Sequence, residues 1–356
     1  MKILHTADLH LGSPMTTHLS PDRVRQRKSE LVATLERMVE EAVYLGARLF
    51  IIVGDLFDDV KVGKRLCERV LGVMSRTTSL DFLYLPGNHE KNAIVESGLP
   101  LPSNLKIFGK DWTYYTYGDV TLAGRSELTA DMLESLRLNQ YGRNIVLLHG
   151  ALADRSTGED AIGIRDCADR HIDYLALGHY HSYGVTELDE RGYAVYCGTP
   201  EGRGFDETGE KGFVIIDTDR TRVEHKFIPF ARRRLHWLRV DLTGAVRGID
   251  VEDAVALALG RIKPDDMVRV ELTGERHPEL FVDIDAIVAR FADAFYHFEC
   301  RDSSRTLIDP EAYRYDKSLK GEFIRLCIAR EDLSDEDREA IIRVGLAALM
   351  DESTEV

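Results

Sequence analysis

The residues able to do chemistry fall in five short clusters, each following an apolar run. They are Asp8-Leu9-His10, Gly54-Asp55-Leu56-Phe57-Asp58, Gly87-Asn88-His89-Glu90, His149-Gly150 and Gly178-His179-Tyr180-His181. Taken singly, each has an ordinary explanation. A D-x-H or a Gly-Asp after a strand is commonly a turn, Gly-Asn-His-Glu fits a β-turn with a helix cap, and one histidine is commonly a core residue. His179 and His181 carry more, because residues i and i+2 of an extended segment point the same way. Together the clusters offer carboxylate, imidazole and amide donors and no thiolate. Such a set suits Mn²⁺ first, with Fe²⁺ and Zn²⁺ as alternatives. There are donors enough for two divalent ions. A shared carboxylate would hold them about 3.5–4 Å apart, the spacing that in-line phosphoryl chemistry requires.

The clusters can cooperate only if a fold gathers them. The runs before them, Lys2–Ala7, Arg48–Val53, Phe82–Leu85, Ile145–Leu148 and Tyr174–Leu177, are short and rich in Ile, Val, Leu, Phe and Tyr. They read as strands buried on both faces. Helices between them make the region α/β, and in open α/β sheets the carboxyl ends of the strands converge on one crevice. The first helix is bracketed by Ser20 as N-cap, Pro21 at the first helical position and Gly46 as a stop. Leu31, Leu35, Met38, Ala42 and Leu45 mark its apolar face. Near residue 235 the pattern changes. Strands are expected at Leu235–Leu242 and Met267–Leu272. Helices are expected at Asp250–Ile262, capped by Asp250, at Asp283–Phe295 and at Ser334–Met350. The last would place Ile341, Ile342, Leu346 and Leu349 on one face. Arg232-Arg233-Arg234 sits at the join, as a solvated hinge or as phosphate contacts. Trp112, Tyr114, Tyr115 and Tyr117 fit a strand with core aromatics, with base stacking as the alternative.

At 356 residues, 44% hydrophobic and 30% charged, the chain has a globular composition and length for two domains. No apolar run approaches the roughly 18 residues of a membrane span. The opening Met1-Lys2-Ile3-Leu4-His5 lacks an apolar leader, so a cytoplasmic location is expected. Five cysteines without a C-x-x-C pair argue against a disulfide framework and a thiolate zinc site. The net charge of -15, from 46 Lys+Arg against 61 Asp+Glu, repels phosphate backbones. It disfavours a free-standing nucleic-acid binder but permits a chain working beside a basic partner.

The ordered series D-x-H, GD, GNHE, H, GHYH resembles the calcineurin-like metallophosphoesterases over about the first 200 residues. The resemblance implies an α/β four-layer sandwich, two mixed sheets flanked by helices, over residues 1–230. A smaller α+β capping domain would span 231–356. It also implies a ligand set: Asp8, His10, Asp55 and His181 for one ion, and Asp55, Asn88, His149 and His179 for the other. His89 resembles the family's general acid or transition-state stabiliser, and Glu90 would either orient His89 or cap the next turn.

Three branches of such enzymes compete. The segment after Gly54-Asp55 lacks the arginine that protein phosphatases carry there, and small-molecule phosphodiesterases usually lack a second domain of this kind. The opening Lys2–Gly12, the run Gly54–Asp58, the segment Gly198–Glu207 with Lys211-Gly212-Phe213, and Ser318–Phe323 resemble the SbcD-type DNA-repair exonucleases and their YhaO-like bacterial branch. This second resemblance implies metal-dependent DNA hydrolysis, a coiled-coil ATPase partner similar to SbcC and a dimeric nuclease. Arg203 is a candidate substrate contact. Some nucleases of this group carry a histidine three residues after the bridging aspartate. Here the position is Asp58, which leaves exo- versus endonuclease action open. The alternatives are a phosphodiesterase of nucleotides or other small phosphoesters, and a metal-stabilised scaffold without activity.

Overall fold

A computed structural model of the protein describes every residue except 16, 18, 91–92, 157–159, 278–279, 308–312 and 350–356. The chain divides into two compact units, Met1–His236 and Trp237–Val356, a cut six residues later than the expected 230/231 boundary.

In the first unit two six-stranded sheets face each other. One comprises β1 (Lys2–Thr6), β2 (Ala47–Val53), β3 (Asp81–Leu85), β4 (Leu105–Ile107), β13 (Gly212–Asp217) and β14 (Glu224–Pro229), in the order β14-β13-β1-β2-β3-β4. The other comprises β5 (Thr113–Tyr117), β6 (Val120–Gly124), β7 (Arg143–His149), β10 (Tyr174–Gly178), β11 (Gly184–Glu187) and β12 (Tyr193–Tyr196), in the order β11-β12-β10-β7-β6-β5. The short parallel pair β8 (Ala151–Ala153) and β9 (Ala161–Gly163) stands apart. Both sheets are mixed. β1, β2, β3 and β4 run parallel, as do β6, β7, β10 and β12, while β13, β14, β5 and β11 pair antiparallel at the edges.

Strand side chains alternate between faces, so each central strand feeds two cores. Ile3, Leu49, Ile51 and Leu83 meet Leu122, Ile145, Leu147 and Ala176 between the sheets. Leu4, Phe50, Ile52 and Phe82 face the opposite way, onto Leu31, Leu35 and Met38 of α1 (Pro21–Tyr44) and Val70 and Met74 of α2 (Lys64–Arg76). Val146, Leu148, Leu175 and Leu177 pack under Met132, Leu133 and Cys167, on a 3₁₀ turn and on α4 (Ile164–Cys167). The Ser20 hydroxyl caps α1 by accepting from the Arg23 amide. The short helix α3 (Ala93–Glu96) follows the third cluster. β5 is an edge strand with Tyr115 and Tyr117 half-buried and Tyr114 exposed. Tyr115 rests edge-on against Phe108, and the Trp112 indole donates to the Met132 carbonyl.

The second unit holds a three-stranded sheet, β15 (Leu235–Asp241), β16 (Met267–Thr273) and β18 (His297–Asp302), and a two-stranded one, β17 (Glu275–Arg276) with β19 (Arg305–Thr306). Val251 and Val255 of α5 (Gly248–Leu259) and Ile287 of α6 (Ile284–Phe291) cover Val240, Val268, Val270 and Phe298. Asp250 is not the N-cap of α5. It lies one turn in and accepts from the Arg247 amide, because the helix starts two residues earlier than expected. α7 (Leu319–Ile328) pairs with α8 (Asp335–Leu349) through Ile324, Cys327, Ile342 and Leu346. Ile341 is exposed, so the expected apolar face is narrower; Met350 lies outside the described residues. Among the described residues no helix is long and apolar enough to cross a membrane.

Candidate metal centre

The β1–β2 pairing continues beyond the strands and sets the first two clusters side by side. The Asp8 amide donates to the Gly54 carbonyl (3.1 Å), that of His10 to Asp55 (2.9 Å) and that of Leu11 to Leu56 (2.9 Å). The chain bends sharply to achieve this. Asp8, His10, Asp55 and His179 all have positive φ, at 53°, 44°, 50° and 104°. Such conformations cost a non-glycine residue on the order of 1–3 kcal/mol and persist where surrounding structure enforces them. Two glycines make room. A Cβ on Gly54, itself at φ 84°, would lie 2.0 Å from His149 Nδ1, and one on Gly87 would lie 2.1 Å from Asp55 Oδ1.

All seven expected ligands and His89 meet at one end of the two sheets, with β1, β2 and β3 supplying three clusters and β7 and β10 two. Asp55 Oδ2 lies 3.3 Å from His149 Nε2, 3.7 Å from His10 Nε2 and 3.9 Å from His89 Nε2. The His149 Nδ1–H donates to the Val53 carbonyl (2.9 Å), so Nε2 faces both Asp55 and Asn88 Oδ1, the latter at 3.1 Å. His10 Nε2 and His181 Nε2 are 3.3 Å apart. Both oxygens of buried Asp8 accept from the His179 amide at 3.0 Å. The His179 ring stands edge-on to His149 at 5.7 Å.

Among the described residues, two groups of donor atoms, the atoms of each within 4.8 Å of one another, could hold a cation: Asp8, His10 and His181, and Asp8, Asp55 and His149. Asp8 is thus common to both, where the family pattern puts Asp55 in the shared position. The distances from Asp55 Oδ2 to His149 and His10 show that it too reaches both sides. His179 enters neither group by its ring.

The electrostatics call for positive charge. Burial pushes Asp8 up to about 6 despite His149 and His181, and the Asp55 charge adds to the rise. Burial also opposes ionisation of Asp55, but the hydrogen bond and charge of His149 hold it at about 2. His149, although buried, is raised to about 9 by Asp55 and Asp8. His10 is driven down to about 3 by burial and by Arg203. Around His149 Nε2 two acceptor oxygens converge, an arrangement satisfied by a proton or a cation. Ligands of oxygen and nitrogen, two of them buried carboxylates, fit a divalent ion.

Other residues behave differently from their sequence pattern. Glu90 is fully buried, and its carboxylate accepts from the Phe57 amide, the Gly87 amide (3.2 Å) and the Tyr84 hydroxyl (2.5 Å). It therefore ties the second cluster to the third, nearer the turn-capping alternative than the orientation of His89. Burial raises it to about 7. Arg203 is only 14% exposed and engages Asp58 and Glu207. Arg233 is no solvated hinge. It is 4% exposed and donates to Glu30, which also pairs with fully buried Arg27. Glu207 and Lys211 escaped the sequence reading as site residues. Glu207 Oε1 lies 2.7 Å from His181 Nδ1, and Lys211 donates to the His181 carbonyl (2.6 Å). Their one signal was their place in or beside the run Gly198–Glu207.

A family model described as calcineurin-like phosphoesterase matches residues 1–183. The chain is 26% identical over 251 residues to the uncharacterized metallophosphoesterase YhaO of Bacillus subtilis, covering 64% of this chain and 60% of that protein. It is 26% identical over 327 residues to the DNA double-strand break repair protein Mre11 of Haloferax volcanii, covering 82% and 67%. It is 22% identical over 272 residues to a subunit of the nuclease SbcCD of Staphylococcus saprophyticus, covering 64% and 69%. The chain thus spans about three-fifths to two-thirds of these relatives.

Proposed function

The chain belongs to the calcineurin-like phosphoesterase family, and from that premise we propose that it is a binuclear metal-dependent phosphodiesterase whose substrate is DNA, an exonuclease of the SbcD type. The observation that carries the reading is the convergence on Asp55 Oδ2 of His149, His10 and His89, all within 3.9 Å. Asp8, His10, Asp55 and His181 would hold one ion and Asp55, Asn88, His149 and His179 the other, with Mn²⁺ the best match to the donors. Bound divalent ions would supply positive charge to the phosphoryl oxygens and acidify a water for attack.

The chain's own groups have distinct tasks. The main-chain amide of His89 donates to Asp55 Oδ1 (3.2 Å) and steadies that carboxylate. Its imidazole, 50% exposed, is free to give a proton to the departing oxygen. Asn88 is exposed at the rim beside it, where a phosphodiester would enter.

DNA as substrate is supported by the relatives named for double-strand break repair and for a nuclease. The charge of -15 favours a partner that brings basic surface. We therefore pair this chain with a coiled-coil ATPase similar to SbcC, in a dimeric cytoplasmic nuclease. The same charge gives weight to a second reading, hydrolysis of nucleotides or other small phosphoesters.

The test compares linear duplex, single-stranded and circular DNA with bis(p-nitrophenyl) phosphate, each with Mn²⁺. Release of nucleotides from DNA ends supports the proposal. Turnover of the chromogenic diester alone would establish the second reading, and no turnover with two ions bound would leave a scaffold. For the partner, duplex binding is titrated with salt, with and without the ATPase. Each neutralised phosphate adds about -0.9 to the log–log slope. Tight salt-sensitive binding by this chain alone would remove the need for a partner.

A further inference from the structure

Behind His10 and His181 lies a cluster of ionic groups. Asp58 Oδ1 is 3.1 Å from His10 Nδ1, and Glu207 Oε1 is 2.7 Å from His181 Nδ1. Between the two carboxylates stands the guanidinium of Arg203. Its Nη1 donates to Asp58 (3.1 Å) and its Nη2 to Glu207 Oε1 (2.6 Å). Its Nε reaches Glu207 Oε1 (3.1 Å) and Oε2 (3.3 Å), while its main-chain amide takes Oε2 (2.7 Å). Arg203 Nη2 also lies 3.3 Å from His181 Nδ1. Glu207 is 4% exposed, Arg203 14% and Asp58 24%, so the cluster is shielded although not sealed.

We infer that Asp58, Arg203 and Glu207 form a positioning unit that fixes which nitrogen His10 and His181 present to a metal ion, and so sets the affinity of one of the two sites. The inference rests on the metal centre proposed above. It begins from proton counting. A carboxylate oxygen 2.7 Å from an imidazole nitrogen requires a proton between them, since two lone pairs would repel at that distance. The proton on His181 therefore sits on Nδ1, and the looser Arg203 contact to that nitrogen is the secondary one. The same argument assigns Nδ1–H to His10, where the approach to Asp58 is short but off the axis of a hydrogen bond. Each ring then turns an unprotonated Nε2 inward.

Those two nitrogens are 3.3 Å apart. With both rings neutral and protonated at Nδ1, the two lone pairs face each other and repel, which a proton or a cation between them relieves. The pair is a preset gap for a cation, and Asp8 completes the group. A carboxylate behind a ligating histidine fixes its tautomer and raises its basicity. Arg203 has a third task. Two carboxylates brought to one place would repel, and the planar fork bonds both at once, which a lysine ammonium cannot reproduce. The network thus carries one positive and two negative charges, leaving an excess negative charge behind the imidazoles that favours a divalent ion in front of them. Sequence distance hides the unit, because Asp58 and Arg203 are 145 residues apart.

The experiment titrates the full chain with Mn²⁺ by calorimetry and by electron paramagnetic resonance, for the wild type, Asp58→Asn, Glu207→Gln, Arg203→Lys and the exposed control Glu210→Gln. In the first three variants one of the two binding steps should weaken by roughly 10–100-fold, the range for loss of an outer partner of a ligand. The other step should stay within about twofold. The spin-coupled manganese signal should give way to that of an isolated ion at limiting metal. The control should match the wild type. Long-range ¹H–¹⁵N spectra of the metal-free wild type should show His10 and His181 protonated at Nδ1. If Glu207→Gln fails to fold, Asp58→Asn, at the most exposed member, carries the test. Unchanged binding in folded variants, or Nε2–H tautomers in the wild type, would overturn the inference while leaving the metal centre intact. Equal loss at both steps together with a lower melting temperature would reduce the unit to a structural brace. A wild type that binds no Mn²⁺ would remove the metal centre itself, and this inference with it.

Discussion

The two sides of the candidate metal centre are held in place by different means. On the side of His149 the support is main chain. The Val53 carbonyl fixes the ring, Gly54 and Gly87 let backbone and side chains close to within contact, and the His89 amide holds Asp55. On the side of His10 and His181 the support is side chain, from Asp58, Arg203 and Glu207. Main-chain support follows from strand register and tolerates little change of shape. Side-chain support follows from charge and can be altered one atom at a time. The two sides should therefore fail in different ways, and Asp55, within reach of both, should fail hardest.

Asp55→Asn tests that ranking. The buried carboxylate faces His149 and His10, so its loss removes charge from both sides at once. Bound Mn²⁺, measured by elemental analysis, should fall below two per chain. Cleavage should drop by more than the roughly 100-fold ceiling for an outer partner of a ligand. Full occupancy with normal cleavage would dissolve the comparison, because neither side would then depend on the group they share.

His89→Ala should separate chemistry from metal holding. The imidazole is half exposed and its Nε2 stands 3.9 Å from Asp55, whereas its amide makes the structural contact. Truncation keeps the amide. Metal content should stay at two while kcat falls by roughly 10²–10⁴-fold, the usual worth of a general acid. Loss of metal along with rate would make the His89 imidazole part of what holds the metal instead.

Gly54→Ala attacks the main-chain side alone. The new methyl, at a position with φ 84°, would sit 2.0 Å from His149 Nδ1 and 2.5 Å from its Cγ, in a ring that the Val53 carbonyl holds in place. Overpacking of this kind costs about 1–3 kcal/mol, and 1.4 kcal/mol is about tenfold in an equilibrium. Mn²⁺ affinity should fall by roughly that factor at the step that the Asp58 and Glu207 variants spare. If it weakened the same step as those variants, the two sides would not be separate.

The candidate ligands were legible in the sequence as a joint series, each cluster following a strand, although each alone has an ordinary explanation. Their division between two ions came from the family resemblance. What supports them was harder to read. Positive φ at Asp8, His10, Asp55 and His179 leaves no mark in a sequence, because none of these is glycine. Arg203 looked like a phosphate contact because an unpaired arginine near a metal site is one; its partners, Asp58 and Glu207, become visible only when distant loops meet. Arg233 misled for the same reason, since Glu30 and Arg27 bury it from a helix two hundred residues away. The five strands could be placed, but that they belong to two facing sheets came from the family resemblance and not from periodicity, which gives faces and not partners. In the second unit, Asp250 shows the limit of capping rules: an aspartate in the first turn serves a helix as well from N3 as from the N-cap.

The smallest effect is a dependence on pH, and it sharpens the comparison from the main-chain side. In the metal-free chain His149 is raised from its ordinary 6.5 to about 9 by Asp55 and Asp8, against the pull of burial. A histidine whose folded pKa lies above its unfolded one contributes stability that is fully present below 6.5 and is lost as pH rises through 9. Asp55, held at about 2, stays ionised throughout that window and adds no slope of its own, whereas Asp8 and Glu90, raised to about 6 and about 7, add to the fall in its lower part and are ionised above about pH 8. The metal-free protein should therefore melt at progressively lower temperature between pH 6.5 and 9, by about 2–4 °C per kcal/mol for a unit of this size. With Mn²⁺ the sign reverses. The ion needs the unprotonated His149 Nε2, so binding displaces the proton and tightens as pH rises. The stabilisation by Mn²⁺, measured as the difference between melts with the metal and with a chelator, should grow steadily from pH 6.5 to 9. His149→Asn removes the group that titrates at the upper end, and in that variant the metal-free slope between about pH 8 and 9 should flatten. A slope that survives the substitution there would place the titration elsewhere, and the proton between His149 and Asp55 would not be what the ion replaces.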